Sequence, residues 1–431
     1  MKNFFLILSL LPALFVKAQQ PLQLPEAINT ALKNSLDVQL AQNRVSVDSL
    51  FNNYGYAGGL PTVTATLNDN EQITSVYQKL NSGDVITRDN VAANTLSTNV
   101  TGSILLYNGG RIVATKKRLA QLQQQSMKLL NSQVQNIIAD VSNAYYDVVR
   151  QQSYIKTIER SIDAAKQRLD IVKASQQVGL ANNADLFQSQ IDLNSLLQQQ
   201  QAQQLVIDQA KAELLRLLTL KADSAVVISD SIIVDRSIDF SSILTRLEKN
   251  PDIMAAQDQV FINEQIVKET AALRYPSIRA NTGYSFSRNN SGAGQVVINQ
   301  NYGPTIGVSV GVPIYSGSSF KRQQKAAGID VNTAGVQRDV LLRDYTAQAV
   351  KSYQAYKSTL LQLNTEENTY KLSSQLLDLV LQRFQLRQAT IVEVKNAQQS
   401  FEESGYRLTN LRYAAKFAET ELKRLASMLA N

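Results

Sequence analysis

The chain contains no cysteine, no histidine and no tryptophan. Without thiols and imidazoles it cannot form disulfides, Cys/His metal sites or a histidine-dependent catalytic triad, and it has no cysteine for a lipid anchor. Proline and glycine are also scarce, at 8 and 18 of 431 residues, which predicts long regular elements with few breaks. These absences argue against an enzyme, and we expect no catalytic, cofactor or metal site.

Acidic residues are slightly fewer than basic ones, at 36 against 43, so the formal net charge is only +7. Spread over so long a chain, this excess is a poor basis for nucleic-acid binding, and no nucleic-acid partner is expected. An apolar stretch follows Lys2 and runs from Phe4 to Val16. It predicts a signal peptide over residues 1–18, cleaved between Ala18 and Gln19, because it is too short to cross a bilayer of about 30 Å. We therefore expect an exported protein without a transmembrane helix.

Two halves of the chain, 19–238 and 239–431, carry the same pattern. The motif at Asp37-Val38 recurs at Asp252-Ile253, and Pro61 recurs as Pro276 with the same spacing. Further matches share a second constant spacing. They pair Leu106-Tyr107 with Ile314-Tyr315, Ala144-Tyr145 with Ser352-Tyr353, and Leu214 with Leu422. One spacing held over so many residues predicts an internal duplication.

The pattern of each half predicts, in chain order, one helix, two strands, a long helix and a shorter return helix. The expected ranges are 22–59, about 61–77, about 92–108, 110–178 and 184–220 in the first half, and 239–274, about 276–288, about 302–315, 318–386 and 391–430 in the second. A mostly apolar seam runs from Leu119 to Val172 and repeats roughly every 3.5 residues, the period of a coiled coil. We expect each long helix to pack antiparallel against the shorter helices.

The four strand-like runs alternate between apolar and hydroxyl- or amide-bearing residues. This alternation is typical of a membrane β-barrel with a wet lumen, although a soluble β-sandwich also alternates. Two features favour the barrel: the strands come as isolated pairs between long helices, and tyrosines gather near their ends (Tyr77, Tyr107, Tyr275, Tyr302, Tyr315). The expected fold class is therefore mainly α with a membrane β-barrel.

Four strands cannot close a barrel, and an open sheet edge is not tolerated in lipid. Two chains would supply eight strands, a barrel filled largely by its own side chains. Three chains would supply twelve strands and leave room for a lumen. The long helices, continuing from the barrel, would then form a hollow tube that makes the protein a conduit.

The duplicated layout resembles the TolC-type outer-membrane efflux protein family, the outer membrane factors of tripartite efflux systems. The resemblance covers essentially the whole mature chain, and its motifs are Leu106-Tyr107-Asn108-Gly109-Gly110, its echo Ile314-Tyr315-Ser316-Gly317, and the helix turns at 178–186 and 389–394. It implies a homotrimer with a 12-stranded barrel in outer-membrane lipid and an α-helical periplasmic tunnel. It also implies docking to a periplasmic adaptor (membrane fusion) protein and an inner-membrane RND or ABC transporter.

In this family the helix turns form a closed periplasmic aperture that contains a ring of carboxylates. By position, Asp185 and Glu393 begin the two return helices, while Gly179 and Ala389 mark the helix-turn-helix tips. A carboxylate in the first helical turn also stabilises the helix N-terminus by about 0.3–1 kcal/mol, which is the simpler explanation of both acids. The assignment of these two acids to the gate is therefore a hypothesis that rests on their positions in the sequence.

Three residues depart from the family pattern at this gate. Phe384 stands where the family often has a gating tyrosine, Arg387 replaces a glycine, and Asn396 replaces a second ring carboxylate. The resemblance thus implies a gate held by other contacts, and we expect Arg387 to pair with Asp185 or Glu393.

Other functions compete with the efflux channel. The chain also fits the outlet channel of a type I protein secretion system or, in a different class, a structural coiled-coil protein of the envelope. The envelope protein would not require two amphipathic strand pairs at duplicated positions. The basic run Lys116-Lys117-Arg118 follows a strand, and it most simply lies near the membrane interface or on a solvated helix face.

Overall fold

The structure is a computed structural model that describes residues 21–292 and 296–430. The predicted signal peptide and its cleavage site, Ala18-Gln19, lie outside the described residues. The first half contains α1 (Leu24–Asn34), α2 (Leu36–Phe51), β1 (Thr62–Lys79), β2 (Val85–Tyr107), α3 (Arg111–Gln177) and α4 (Asn183–Leu217). The second contains α5 (Phe240–Leu247), α6 (Pro251–Ala272), β3 (Ser277–Ser291), β4 (Ile298–Gly311), α7 (Ser319–Gln385) and α8 (Ile391–Leu425). The fold is mainly helical with one antiparallel sheet, as expected.

The chain forms two compact units. The sheet unit consists of Gln39–Ser132 and Glu248–Asp344, and it contains all four strands. The helical unit consists of the described residues up to Val38, Gln133–Leu247 and the described residues from Tyr345 onward. Both halves of the sequence contribute to both units, so the repeats and the compact units are different divisions of the chain.

The four strands form one antiparallel sheet in the order β1-β2-β3-β4. The second strand was expected to begin at about residue 92, but Lys79 pairs with Val85 around a short turn, so β2 begins at Val85. Antiparallel pairing uses backbone groups, and polar side chains do not end it. At the other end, β4 stops at Gly311 rather than 315, because Pro313 has no N–H for the ladder.

The helices that precede the strands are each divided in two, where one continuous helix was expected. Ser35 separates α1 from α2, and its hydroxyl accepts a hydrogen bond from the backbone N–H of Val38 at 3.3 Å. Asn250 caps α6 by accepting from the N–H of Asp252 at 2.9 Å, and Pro251 occupies the first helical position. Serine and asparagine favour such N-cap positions, and proline favours the position after them.

The long helices α3 and α7 are each 67 residues long and continuous. Every position of the predicted seam between Leu119 and Val172 is buried or half-buried. Among its members, Val141, Tyr145 and Ile158 are completely buried. The coiled-coil period thus keeps one side of α3 away from solvent between Leu119 and Val172.

The helical unit has several apolar clusters between its helices. Ile158 and Ile162 of α3 pack with Leu196 of α4. A second cluster joins α7 to α8 through Leu377 and Phe401. A third joins α5, α7 and α8, with members Ile243, Leu247, Tyr356 and Leu422. Each return helix is therefore held against a long helix by buried side chains.

The duplication is also visible in the backbone. Four pairs of matched residues have positive φ: Gly109 and Gly317, Gly110 and Ser318, Gly179 and Arg387, and Thr219 and Ser427. The first two pairs precede the long helices, the third ends them, and the fourth ends the return helices. Positive φ is uncommon outside glycine, so its recurrence at matched positions supports one duplicated backbone with diverged side chains.

Candidate functional site

One face of the sheet is apolar across all four strands. Directly opposite residues of antiparallel strands lie on the same face. The apolar rows are Ile104, Ala280 and Val308; Val63, Gly102, Thr282 and Ile306; Ala65, Val100, Tyr284 and Pro304; and Leu67, Thr98, Phe286 and Tyr302. None of these side chains is buried, and several are largely exposed: Ile306 is 91% exposed and Val63 72%. The predicted alternation is confirmed, and a continuous exposed apolar face of this extent marks an interaction surface.

The opposite face of the sheet is polar in the same register. Its rows are Thr64, Thr101, Gly283 and Thr305; Thr66, Asn99, Ser285 and Gly303; and Asn68, Ser97, Ser287 and Asn301. Hydroxyl groups also meet across strands on this face, with Thr62 Oγ1 3.1 Å from Ser103 Oγ. Such a face favours contact with water.

The apolar rows cover about the height that a membrane strand needs. On β3 the band runs from Ile278 to Phe286, close to the roughly 9–11 residues of a tilted membrane strand. The next row toward the hairpin ends is Asp69, Leu96, Arg288 and Gln300, where charged and amide side chains return. Both outer strands, β1 and β4, have only one hydrogen-bonded neighbour among the described residues. Each therefore leaves a row of backbone groups unpaired.

Within residues 21–292 and 296–430, no helix combines the length and the apolar character needed to span a bilayer. The same residues contain no group of three or more acidic side chains placed to hold a metal ion.

The turns that end α3 and α7 have the same hydrogen bonds. In the first, Gly179 N–H donates to Gln176 O at 2.9 Å and Leu180 N–H donates to Ser175 O at 2.8 Å. In the second, Arg387 N–H donates to Phe384 O at 3.0 Å and Gln388 N–H donates to Arg383 O at 2.7 Å. Both patterns are Schellman motifs, which require a left-handed residue after the helix. Glycine occupies that position in the first turn (φ 77°), but Arg387 occupies it in the second (φ 63°).

The predicted gate carboxylates lie in the first turns of the return helices. The backbone N–H of Asp185 donates to the side chain of Asn182 at 2.8 Å, which caps α4. Thr390 and Glu393 form a reciprocal capping box at the start of α8, with Thr390 N–H donating to Glu393 Oε2 at 2.6 Å. The hydrogen bonds from Thr390 hold the pKa of Glu393 below its usual value. Glu393 thus has a local structural role within the chain.

Most of the predicted gate residues share one cavity. A cavity of about 350 Å³ is lined by Asp185, Phe384, Arg387 and Ala389, together with apolar residues of α3 and the first turn. Phe384 also packs against the buried α7–α8 cluster. The expected ion pair is absent: among the described residues, Arg387 pairs with neither Asp185 nor Glu393. A left-handed residue directs its side chain differently from a helical one, and Glu393 is already occupied by its cap.

A buried ion pair near the turns was not predicted. The Arg168 guanidinium is 1% exposed and donates to Asp192 at 2.9 Å, while Lys395 contacts the same carboxylate at 3.2 Å. Burial lowers the pKa of Arg168, and Asp192 opposes this effect. The three residues come from α3, α4 and α8, and nothing in their sequence spacing indicates that these helices meet there.

Comparison with known proteins gives a family match over most of the chain. Residues 27–219 and 244–427 match the sequence model of the family described as outer membrane efflux protein. The outer membrane protein TolC of Vibrio cholerae serotype O1 is 22% identical over 312 residues, which cover 69% of this chain and 68% of TolC.

Solved structures share the fold at lower identity. The outer membrane protein VceC from Vibrio cholerae matches with a TM-score of 0.76 at 17% identity, covering 94% of this chain and 96% of VceC. The CmeC outer membrane channel of Campylobacter jejuni matches with a TM-score of 0.75 at 16% identity, covering 94% of this chain and 85% of CmeC. The mainly helical fold with its four-stranded sheet is therefore that of known outer membrane channels.

Proposed function

The chain belongs to the outer membrane efflux protein family, and from this premise we propose that it is the outer-membrane channel of a tripartite efflux system. Its family consists of outer membrane channels, and its location is the outer membrane. In the proposed role it is a passive conduit: substrates enter from a periplasmic adaptor and an inner-membrane RND or ABC transporter, and they leave the cell through its lumen.

The exposed apolar face of the sheet is the observation that carries this proposal. In lipid, each unpaired backbone group costs several kcal/mol, so the free edges of β1 and β4 must find partners. Pairing β1 of one copy with β4 of the next satisfies both edges without any other protein. Three copies then form a closed barrel of twelve strands, with the apolar rows toward lipid and the threonine, serine and asparagine rows toward water.

The helices supply the periplasmic part of the conduit, and their turns are the proposed meeting point with the adaptor. Large apolar side chains are exposed on and beside the first turn: Val178 is 64% exposed, Leu180 61% and Phe187 60%. An exposed apolar cluster at the end of a helix pair is suited to a protein contact.

The cavity between the turns is the proposed gate. It contains one carboxylate, Asp185, and one guanidinium, Arg387, which is free of ion pairs within the described chain. In a trimer these groups would meet their counterparts from neighbouring copies, so the pairing expected for Arg387 becomes a proposal about contacts between copies. Phe384, Glu393 and the tips at Gly179 and Ala389 complete the proposed gate.

Planar-bilayer conductance of the detergent-purified protein, with its mass measured in the same preparation, tests this function. We expect a trimer that forms stable, low-conductance, cation-preferring channels. A monomer that is soluble without detergent and never forms channels would refute the barrel and favour the envelope coiled-coil protein.

Two neighbouring residues on opposite faces of β4 provide a sharper test of the sheet. Ile306→Lys places a charge in the middle row of the apolar band, where it costs about 2–4 kcal/mol in lipid. We expect this variant to lose membrane insertion, measured as heat-stable trimer in the outer membrane fraction. Thr305→Lys is the matched control on the polar face, and we expect it to insert and to shift ion selectivity toward anions. Equal tolerance of both variants would refute the assignment of the faces.

A further inference from the structure

A group of exposed cations lies where the sheet meets the long helices. All four connections between strands and helices leave the same end of the sheet, because Thr62 pairs near Ser103 and Ser277 pairs with Gly311. Near this end we define the cationic collar as Arg111, Lys117, Arg274, Lys321, Arg322 and Lys325. All of its members are exposed, and none forms an ion pair with another described residue.

Acidic residues are missing from this part of the chain. Residues 90–139 and 270–329 contain no aspartate and no glutamate, although they supply every member of the collar. Glu269, which directly precedes the second of these segments, is already bound to Arg118 at 2.7 Å. The opposite end of the sheet differs, since its hairpins mix Asp69, Glu71, Asp84 and Asp89 with Lys79, Arg88 and Arg288. The positive charge is therefore specific to one boundary of the apolar band.

The collar is electrostatically unfavourable within the chain alone. Lys321 and Lys325 are one helical turn apart, where like charges destabilise a helix. Neither α3 nor α7 has an acid in its first turn, where the helix dipole favours a carboxylate. An anionic partner outside the chain would remove both penalties.

Exposed apolar and aromatic side chains lie among and beside the collar residues. Val113 is 53% exposed one turn before Lys117, and Tyr275 is 55% exposed beside Arg274. Ile314 and Tyr315, at 96% and 86% exposed, precede Lys321. Tyrosines at the membrane–water boundary, with lysine and arginine reaching the headgroups beside them, are the arrangement that anchors membrane proteins.

We propose that the cationic collar binds the head groups of anionic phospholipids in the membrane leaflet next to the helices. The proposal rests on the proposed membrane insertion of the sheet, and it adds a lipid partner that the channel function does not require. Each basic group near an anionic membrane surface strengthens binding by about fivefold, so the six cations of one copy suffice for a preference between lipids.

A charge-matched pair of variants tests the proposal. The collar variant Lys117→Gln/Lys321→Gln/Lys325→Gln and the control variant Lys166→Gln/Lys357→Gln/Lys371→Gln each remove one exposed lysine from α3 and two from α7. The purified, delipidated proteins are incubated with short-chain phosphatidylglycerol or phosphatidylcholine, and bound lipid is counted by native mass spectrometry. Conductance of the same samples reports whether the channel is intact.

We expect wild type and the control variant to prefer phosphatidylglycerol, and the collar variant, which lacks three of the cations, to lose this preference by about a hundredfold. The preference should weaken at high salt, which screens exposed charges, but inorganic phosphate at the lipid concentration should not displace the lipid. Conducting channels without a lipid preference, or equal preference in both variants, would overturn the lipid assignment alone. Displacement by inorganic phosphate would identify a free-anion site instead. Wild-type protein that forms no channels would overturn the proposed function as well.

Discussion

The two turns between long and return helices allow a reciprocal substitution experiment. Gly179 and Arg387 occupy the same left-handed position of the same Schellman motif, with φ of 77° and 63°. Gly179→Ala therefore imposes on the first turn the backbone penalty that the second already has. Arg387→Gly removes that penalty from the second turn. The prediction is that the two substitutions change local stability by similar amounts in opposite directions.

In this structure only the backbone conformation contributes to the expected change in stability at Gly179. A Cβ added at Gly179 would meet nothing within 4 Å, so no steric clash contributes. The left-handed conformation costs a residue with a Cβ about 1–2 kcal/mol. Replacing glycine also restricts the unfolded chain, which offsets about 0.4–1 kcal/mol of this cost. Gly179→Ala should thus destabilise its turn by about 1 kcal/mol, and Arg387→Gly should stabilise its turn by about the same amount.

Native-state hydrogen exchange measures this effect locally. The informative amides are those of Leu180 and Gln388, each of which closes the wider hydrogen bond of its turn. Because 1.36 kcal/mol corresponds to a factor of ten, a change of 1 kcal/mol alters exchange about fivefold. We expect faster exchange at Leu180 in Gly179→Ala and slower exchange at Gln388 in Arg387→Gly.

Arg387→Ala is the control that separates the effect of the left-handed backbone from the effect of losing the guanidinium charge. It removes the guanidinium but keeps a left-handed residue with a Cβ, so exchange at Gln388 should stay near the wild-type rate. If Arg387→Ala slows exchange as much as Arg387→Gly, the backbone explanation is wrong. Both variants remove the same charge from the proposed gate, so both should change single-channel conductance. Unchanged conductance in both would refute the role of Arg387 in the gate.

Three further predictions concern packing, capping and pH. In Gly405→Ala the new Cβ would lie 2.5 Å from Thr157 Cγ2, so the variant should lose about 1–3 kcal/mol of unfolding free energy, and adding Thr157→Ala should restore thermal stability. Thr390→Ala removes the N-cap of α8, which should cost about 1 kcal/mol and speed amide exchange in its first turn. The Ser237 hydroxyl and N–H, aided by Lys423, lower the pKa of Asp235 to about 2 from 3.8. This lowered pKa stabilises the fold above about pH 4, and acid unfolding should remove that contribution between about pH 4 and 2.

Each of these predictions has an outcome that contradicts it. Additive effects of Gly405→Ala and Thr157→Ala would show that the two side chains do not compete for the same space. Unchanged exchange in Thr390→Ala would mean that the cap is not needed to hold the turn. Asp235→Asn should lack the part of the acid transition assigned to this carboxyl. A transition identical to that of wild type would assign it to another group.

The faces of the sheet were predictable from the sequence, but the ends of its strands were not. A strand alternates its side chains with period two, so the sequence alone places Val308 and Val310 on one face and Ser309 on the other. Pairing beyond the apolar band depends on backbone groups, which every residue has, and Lys79 and Val85 therefore pair in a segment without an apolar pattern. The breaks at Ser35 and Asn250-Pro251 did carry capping signals that the helical periodicity obscured.

At the candidate gate, too, the sequence predicts positions better than contacts. The positions of Asp185 and Glu393 follow from where the return helices begin, which the sequence signals well. Side-chain pairing depends on the rotation and register of neighbouring helices, which apolar periodicity does not determine. For this reason the expected pairing of Arg387 is absent within the chain, while the ion pair of Arg168 with Asp192 was not foreseen.

The two helix turns share a backbone but present different chemistry to a partner. The first exposes the apolar residues Val178, Leu180, Phe187 and Ile191. The matched positions of the second are Leu386, Gln388, Lys395 and Gln399. Packing of the return helices constrains only buried positions, so this difference is not required by the fold. The second turn still exposes Leu386 and Val392, at 67% and 59%. A partner that docks on both turns must therefore meet the first with a more apolar surface than the second. Two equivalent copies of one adaptor segment could not satisfy both turns equally.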